Sequence, residues 1–72
     1  MINEATVNFK NTTYFVGRNG YVNMNGICIY NSYDSTIQLV PLNSWNKPSS
    51  AKLNIPKEDL VNFIEALKQF VK

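Results

Sequence analysis

Residues 56–72, PKEDLVNFIEALKQFVK, decide the class of fold because they carry the clearest helical period in the chain. Apolar side chains recur there at positions 60, 64, 67 and 71, and Phe63 and Phe70 widen the same face of an α-helix. Pro56 suits a first turn, acidic residues follow it, and lysines lie near the carboxyl end, as the helix dipole favours. We therefore predict one amphipathic helix of about four turns.

The residues before this helix are typical of β-strands. Runs rich in β-branched, aromatic or alternating apolar residues occupy positions 5–9, 12–16, 21–24, 27–30, 36–42 and 51–55. Turn signals separate them: GRNG at 17–20, the segment Ser32–Ser35, and the pair Asn25-Gly26, which is a strong hairpin signal. The sequence therefore predicts an α+β fold, with an antiparallel β-sheet of four to five strands followed by one C-terminal amphipathic helix packed on one face.

A length of 72 residues predicts a single domain, residues 1–72. Hydrophobic residues make up 44% of the chain and charged residues 17%, as in folded globular proteins. A domain of this size retains only about 3–5 kcal/mol of stability from its core and often needs a supplement. A single cysteine, Cys28, excludes an internal disulfide, and without histidine we expect no metal site. We therefore expect a homodimer.

Strand periodicity sorts the side chains between the two faces of the sheet. If Leu53 and Ile55 face the helix, Lys52 and Asn54 face outward. The set predicted to point inward is Phe15, Val22, Ile27, Ile29, Ile37 and Leu39. The set predicted to point outward is Tyr14, Tyr21, Cys28, Tyr30, Gln38, Val40 and Leu42.

The outward face combines aromatic rings with cations, and Trp45, the only tryptophan, lies in a polar loop beside it. Nucleic acid bases stack on aromatic rings, and phosphates attract positive charge. Tyrosine is also common on exposed strands and in subunit interfaces, and Trp45 fits equally a contact residue or a lid on the core edge. Arg18 suits a phosphate contact or a solvated turn. The candidate nucleic-acid-binding residues are Lys10, Tyr14, Arg18, Tyr21, Tyr30, Trp45, Lys47 and Lys52.

Residues suited to catalysis are few and scattered. The chain has no histidine, which is the commonest general base. Glu58 and Asp59 are adjacent and point about 100° apart on a helix, so they do not converge. Cys28 has no identifiable neighbouring base that would activate its thiol, so we interpret it as a packed small residue. We expect a protein that is not an enzyme and has no cofactor.

Charge and hydropathy indicate the compartment. The net charge of +2 permits contact with nucleic acid without requiring it. The first residues lack the apolar run of a secretory signal, and no run reaches the roughly 18–20 apolar residues that span a bilayer. A lone free cysteine suits a reducing environment. We expect a cytoplasmic protein that does not contact membranes.

The stretch from Ile27 to Lys72 resembles the PC4-like single-stranded DNA-binding proteins, a group of transcriptional coactivators with small bacterial and phage relatives. The resemblance rests on the strand at 36–42, a polar loop with Lys47-Pro48, the short strand AKLNI and the helix PKEDLVNFIEALKQF. It implies four strands and a C-terminal helix, a curved sheet that binds single-stranded DNA, and a dimer formed through the helix side. The dimer interface would then include Leu60, Phe63 and Phe70.

By position, the family's strand residues for DNA would fall on Tyr30 and Gln38, and its basic residues on Lys47, beside Trp45, and on Lys52. The family usually places several cations on the strands, whereas here no cation lies between Arg18 and Lys47. Fewer phosphate contacts imply weaker binding.

The leading hypothesis is a small homodimeric protein that binds single-stranded DNA or RNA through this aromatic and basic face, without strong sequence preference. The alternative is a protein-interaction module or small inhibitor, such as a phage-type accessory protein, that uses the same aromatic surface; low charge density favours it. A structural subunit of a larger assembly is a third possibility. Binding to nucleic acid should weaken steeply with salt, and an apolar protein interface should not.

Overall fold

The computed structural model describes residues 3–71 and contains a four-stranded antiparallel sheet followed by a helix. The strands neighbour each other in chain order and are β1 (Glu4–Gly17), β2 (Gly20–Asn31), β3 (Thr36–Leu42) and β4 (Leu53–Pro56). A 3-10 turn at Lys57–Asp59 leads into helix α1 (Leu60–Lys68). The predicted fold class, α+β with an antiparallel sheet and one C-terminal helix, is confirmed.

Strands β1 and β2 form a long hairpin around the predicted turn at residues 17–20. Gly17 pairs with Gly20, so Arg18 and Asn19 form a two-residue connection. Gly20 has a φ of +119°, which favours glycine because no Cβ is present to clash. The runs at 5–9 and 12–16, predicted as separate strands, are joined in β1, and those at 21–24 and 27–30 are joined in β2.

The β1–β2 pairing is irregular where the Asn25-Gly26 pair lies. Pairing is regular up to Asn8 and Gly26, and beyond this point residues 9–12 of β1 bulge out opposite Asn25. A Cβ on Gly26 would clash with the carbonyl oxygen of Val7 and would lie 3.0 Å from the Asn8 Cα. The prediction of a hairpin turn at Asn25-Gly26 is therefore wrong. The glycine allows close approach of β1 within a strand instead of a chain reversal.

The predicted turn at 32–35 is present and joins β2 to β3. Ser35 has a φ of +62°, and the Ser32 amide donates a hydrogen bond to the Thr36 carbonyl at 3.0 Å. The Thr36 hydroxyl donates a 2.6 Å hydrogen bond to the Asp34 carboxylate. That bond, with a second from Ser32, lowers the pKa of Asp34 because it stabilises the charged carboxylate.

The most buried side chains lie on the face that was predicted to point outward. Cys28 is 3% exposed, Val40 2% and Leu42 5%. Met24, at 8%, is the fourth buried side chain but borders an apolar groove with Ile27 and Leu39. The residues predicted to form the core on the other face, Ile27, Ile29, Ile37 and Leu39, are only half-buried. The outward assignment of Cys28, Val40 and Leu42 is therefore wrong. The prediction that Cys28 is a packed residue is confirmed.

Two features accompany the burial of the face that carries Cys28 and Leu42. Cys28 lies in the middle of the sheet, with Thr6 on one neighbouring strand and Val40 on the other. The β3–β4 loop folds back over the end of β3, where Leu42 bridges Pro48 and the Ser49 amide donates to the Pro41 carbonyl at 2.9 Å. The loop therefore pairs along the edge of β3 beside Leu42, while the opposite face is only half-buried and would need the helix for cover.

Helix α1 does not supply that cover. None of its residues is buried, and its most extensive contacts are with the 3-10 turn that precedes it. This exposure differs from the expected packing on one face, and the connection from β4 to the helix is three residues long. The α-helix also ends earlier than predicted, at Lys68; Lys72 lies outside the described residues. No helix within residues 3–71 is long and apolar enough to cross a membrane.

Candidate nucleic-acid interface

Tyr14 and Tyr21 form an aromatic pair on the β1–β2 hairpin. Their ring centroids are 4.9 Å apart and the rings are nearly perpendicular, at 87°. Tyr14 pairs with Asn23 and Tyr21 with Val16, so the two tyrosines are diagonal neighbours on one face. The rings are 53% and 75% exposed. An edge-to-face contact holds both rings in fixed orientations while leaving much of their surface free for a ligand.

Trp45 is 80% exposed, so it is not a lid on the core. Its loop is held by the Asn43 side chain, whose Oδ1 accepts hydrogen bonds from the Trp45 amide at 2.9 Å and the Lys47 amide at 3.0 Å. Asn46, with a φ of +61°, completes the tight turn. The backbone that carries the indole is therefore ordered by local hydrogen bonds, and the ring itself faces solvent.

The β3–β4 loop is attached to the β1–β2 hairpin through Asn25. Its Nδ2 donates to the Ser44 carbonyl and to Asn46 Oδ1, each at 3.2 Å. An open polar cavity of about 340 Å³ lies at this junction, and its lining includes Lys10 from the β1 bulge, Asn25 and Ser44. The bulge therefore brings Lys10 and the tryptophan loop to the same end of the sheet.

Cations and carboxylates are segregated between the two ends of the sheet. Residues 5–33 and 35–57 contain no acidic residue. We call the end with the β1–β2 turn, the bulge and the β3–β4 loop the basic end; it carries Lys10, Arg18, Lys47 and Lys52, all exposed. The acidic end carries Glu4, Asp34, Glu58 and Asp59, together with Lys57. Although the net charge is only +2, positive and negative side chains are concentrated at opposite ends of the sheet.

Tyr30 is separated from the other candidate residues. It is half-buried and pairs with Glu4 at the acidic end of the sheet. A hydrogen bond with the Cys28 side chain, desolvation and the Glu4 carboxylate raise the pKa of Tyr30. The Cys28 thiol in turn lies 3.7 Å from Glu4 Oε1. A neighbouring carboxylate repels phosphate, so this position suits a nucleic acid poorly.

Lys52 lies on a different side from the tyrosine pair. It lines an open apolar groove of about 310 Å³ together with Phe15 and Leu53. Because neighbouring strand residues point to opposite faces, Tyr14 points away from the groove that Phe15 lines. Lys52 and Leu53 border the same groove although strand alternation predicts opposite faces for them, and Lys52 precedes the first residue of β4, where this alternation begins.

The predicted dimer residues lie along α1 and beyond it. Leu60 is half-buried, Phe63 is 39% exposed, and Phe70 follows the end of the helix and is largely exposed. One fully exposed aromatic residue was missed: Tyr33, in the turn at the acidic end. Its place in a turn segment was visible in the sequence, and its neighbour Asp34 argues against a phosphate contact there.

The described residues contain no group of three or more histidine, cysteine or carboxylate side chains that could hold a metal ion. Comparisons with protein-family models, with curated proteins and with solved structures find no match to this chain.

Proposed function

We propose that the protein binds single-stranded nucleic acid at the basic end of its sheet. The observation that carries this proposal is the coincidence of exposed aromatic rings with a segregated group of cations. Tyr14, Tyr21 and Trp45 are all more than half exposed, and residues 5–33 and 35–57, which contain them, include no carboxylate. Both ligand requirements, a stacking surface and positive charge, are met on neighbouring segments.

The chemistry favours single strands over duplexes. In a duplex the base faces are already stacked, whereas a single strand can present them to an aromatic side chain, at roughly 1–3 kcal/mol per base. We assign stacking to Tyr21, Tyr14 and Trp45. Binding by stacking and phosphate contacts involves no reading of base edges, so we expect little sequence preference.

We assign phosphate contacts first to Lys10, Arg18 and Lys47. Arg18 occupies the tip of the hairpin that carries the tyrosine pair, and Lys47 follows Trp45 by two residues. Lys52 lies at the rim of the groove and would reach a strand only at the margin of this surface. Tyr30 receives no stacking role, because its nearest charged neighbour is Glu4.

Membership of the PC4-like proteins is part of the same proposal. The order of four antiparallel strands followed by a C-terminal helix supports it. The cations of this chain are displaced from the middle strands to turns and loops, so the contact surface we propose lies at the sheet's end and not across its centre.

The test is a fluorescence anisotropy titration of labelled single-stranded and duplex oligonucleotides of the same sequence. We expect tighter binding of the single strand. With about 0.7 counterions released per phosphate, three contacts predict roughly 20-fold weaker affinity for a fourfold increase in salt. Equal affinity for the duplex would contradict the stacking roles. No anisotropy change at low salt would contradict the proposal as a whole and favour a protein-interaction module.

A further inference from the structure

The polar cavity of about 340 Å³ at the basic end lies between the two aromatic elements of the candidate interface. On one side its lining includes Asn23, which pairs directly with Tyr14 across the hairpin. On the other side its lining includes Ser44, which precedes Trp45. A strand that stacks on the tyrosine pair and on Trp45 therefore passes over the opening of this cavity.

The lining combines apolar surface with neutral polar groups. Phe9, which is 36% exposed, and Met24, which is buried, supply the apolar part. Of the described residues that line the cavity, only Lys10 carries a charge. The polar part consists of amide and hydroxyl side chains, from Asn11, Thr12, Thr13, Asn23, Asn25 and Ser44.

This chemistry favours a nucleobase over a phosphate as the group inside the cavity. Amide and hydroxyl side chains both donate and accept hydrogen bonds, as the edge of a base does, and apolar side chains can pack against its flat face. A phosphate only accepts hydrogen bonds, so the carbonyl oxygens of asparagine side chains repel it. The volume lies near the lower end of the roughly 300–1,000 Å³ of small-ligand pockets, which suits a single base.

The orientation of the Asn25 amide narrows the kind of base. The Ser44 carbonyl can only accept a hydrogen bond, so Asn25 must turn its Nδ2 toward the loop, where it also reaches Asn46 Oδ1. Both amide protons are then used within the protein. Asn25 Oδ1 is the atom left for a ligand, and it is an acceptor. An acceptor suits a base with an exocyclic amino group, such as cytosine or adenine.

The β1 bulge builds the cavity before any ligand arrives. Residues 9–12, which have no partner in the β1–β2 register, all contribute to the lining. The Thr13 hydroxyl donates a hydrogen bond to the Asn11 carbonyl at 3.1 Å and braces the bulge, and Asn25 attaches the opposite wall to the loop. Walls held in this way reduce the entropy that is lost when a ligand binds.

We propose that this cavity binds one unstacked base of the strand, with preference for a base that carries an exocyclic amino group. The inference rests on the proposed function, because the tyrosine pair and Trp45 bring the strand to the opening. Lys10 is placed to contact a phosphate of the same nucleotide. The preference concerns a single nucleotide position, and the remaining contacts stay independent of sequence.

Nuclear magnetic resonance of the isotopically labelled chain tests the cavity with mononucleotides as probes. We expect cytidine monophosphate and uridine monophosphate to shift the backbone amides of Asn23, Asn25 and Ser44. The cytidine nucleotide should bind about two- to tenfold more tightly, as one hydrogen bond from its amino group predicts. Ribose phosphate lacks a base and should leave these amides unshifted. Equal shifts with ribose phosphate would overturn the assignment of a base, and equal affinity of the two nucleotides would overturn the amino preference.

A matched pair of asparagine variants relates the cavity to strand binding. Asn23→Ala removes an amide from the lining, whereas Asn54→Ala makes the same change at an exposed position of β4 outside it. Anisotropy titrations with a labelled cytosine-rich single strand should give about two- to tenfold weaker affinity for Asn23→Ala and the parent affinity for Asn54→Ala.

The outcomes separate this inference from the proposed function. Strand binding that Asn23→Ala leaves unchanged, together with unshifted cavity amides in the nucleotide titrations, would overturn the base cavity and leave the proposed function in place. Absence of strand binding by the parent chain would contradict the proposed function, and this inference with it.

Discussion

Tyr14 and Tyr21 contact each other edge to face across the β1–β2 hairpin, at 4.9 Å between ring centroids, on the side of the strands opposite the apolar groove. This relationship positions two exposed rings beside the turn that carries Arg18. It separates the molecule into a face suited to stacking and a face suited to apolar burial. A single layer of sheet therefore offers two chemically distinct surfaces.

Removal of one ring should weaken nucleic-acid binding. Tyr21→Ala loses a stacking surface worth about 1 kcal/mol at an exposed site, which predicts about fivefold weaker affinity for single-stranded oligonucleotides. Tyr33→Ala is the control, since Tyr33 is an exposed tyrosine that lies beside Asp34 at the acidic end. Anisotropy titrations of both variants check the difference. An equal loss for Tyr33→Ala would contradict the location of the site.

Cations at the two ends of the sheet should differ in their effect on salt dependence. Lys47→Gln removes one phosphate contact, so the slope of log affinity against log salt should become shallower by about 0.7. Lys57→Gln removes the same charge at the acidic end and should leave the slope unchanged. The measurement is the affinity of each variant over a range of salt concentrations. Identical slopes for the two variants would indicate only a net-charge effect.

The close approach at Gly26 should make that residue intolerant of a side chain. Gly26→Ala places a Cβ against the Val7 carbonyl oxygen and the Asn8 backbone, and overpacking of this kind costs about 1–3 kcal/mol or more. Gly17→Ala is the control, because its nearest neighbour, the Val22 side chain, is 3.6 Å away. Urea unfolding at equal protein concentration should give a much lower midpoint for Gly26→Ala. Similar midpoints would show that β1 can shift to accommodate the methyl group.

The position of the core is tested by truncating a valine. Val40→Ala removes two buried carbon atoms from the centre of the sheet and should lower the free energy of unfolding by about 2–3 kcal/mol, including the cavity left behind. Val16→Ala makes the same change at a strand position that is 70% exposed and should cost less than about 1 kcal/mol. If both changes cost the same, the face with Cys28 is not the core.

Asp34 should make stability fall in acid. Hydrogen bonds from Thr36 and Ser32 lower its pKa below the ordinary value of 3.8. The unfolded chain therefore binds a proton more readily, so this contribution is present above pH 3.8 and is lost as the pH falls through the lowered value. Asp34→Asn should flatten the dependence of thermal stability on pH in that range, and Thr36→Val should flatten it partly. An unchanged profile in Asp34→Asn would assign the acid loss to other carboxylates.

Features set by neighbouring residues were predictable from the sequence. The turns at 17–20 and 32–35 follow from glycine and aspartate chemistry, and the helix follows from its apolar period. Long-range contacts set the rest. Asn25-Gly26 is a favourable hairpin dipeptide, and only the approach of Val7 shows why glycine lies there within a strand. The burial of Cys28 and Val40 on one face of the sheet likewise depends on the long-range pairing of β2 with β3.

The candidate site shows the same division. Strand alternation correctly placed Tyr14 and Tyr21 on one exposed face, and Trp45 proved to be a solvent-facing loop residue. Tyr30 was grouped with them because the register that pairs it with Glu4 cannot be read from either strand alone. The separation of basic and acidic ends likewise needs the sheet topology, since it depends on which turns lie at the same end.

The most direct measurement of the central claim is the intrinsic fluorescence of Trp45, the only tryptophan, during titration with an unlabelled single-stranded oligonucleotide. The indole is 80% exposed, so stacking on a base should quench it, and added salt should restore the signal as the strand dissociates. This result would place the nucleic acid at the basic end. Unchanged fluorescence at low salt, at oligonucleotide concentrations in excess of the protein, would contradict it.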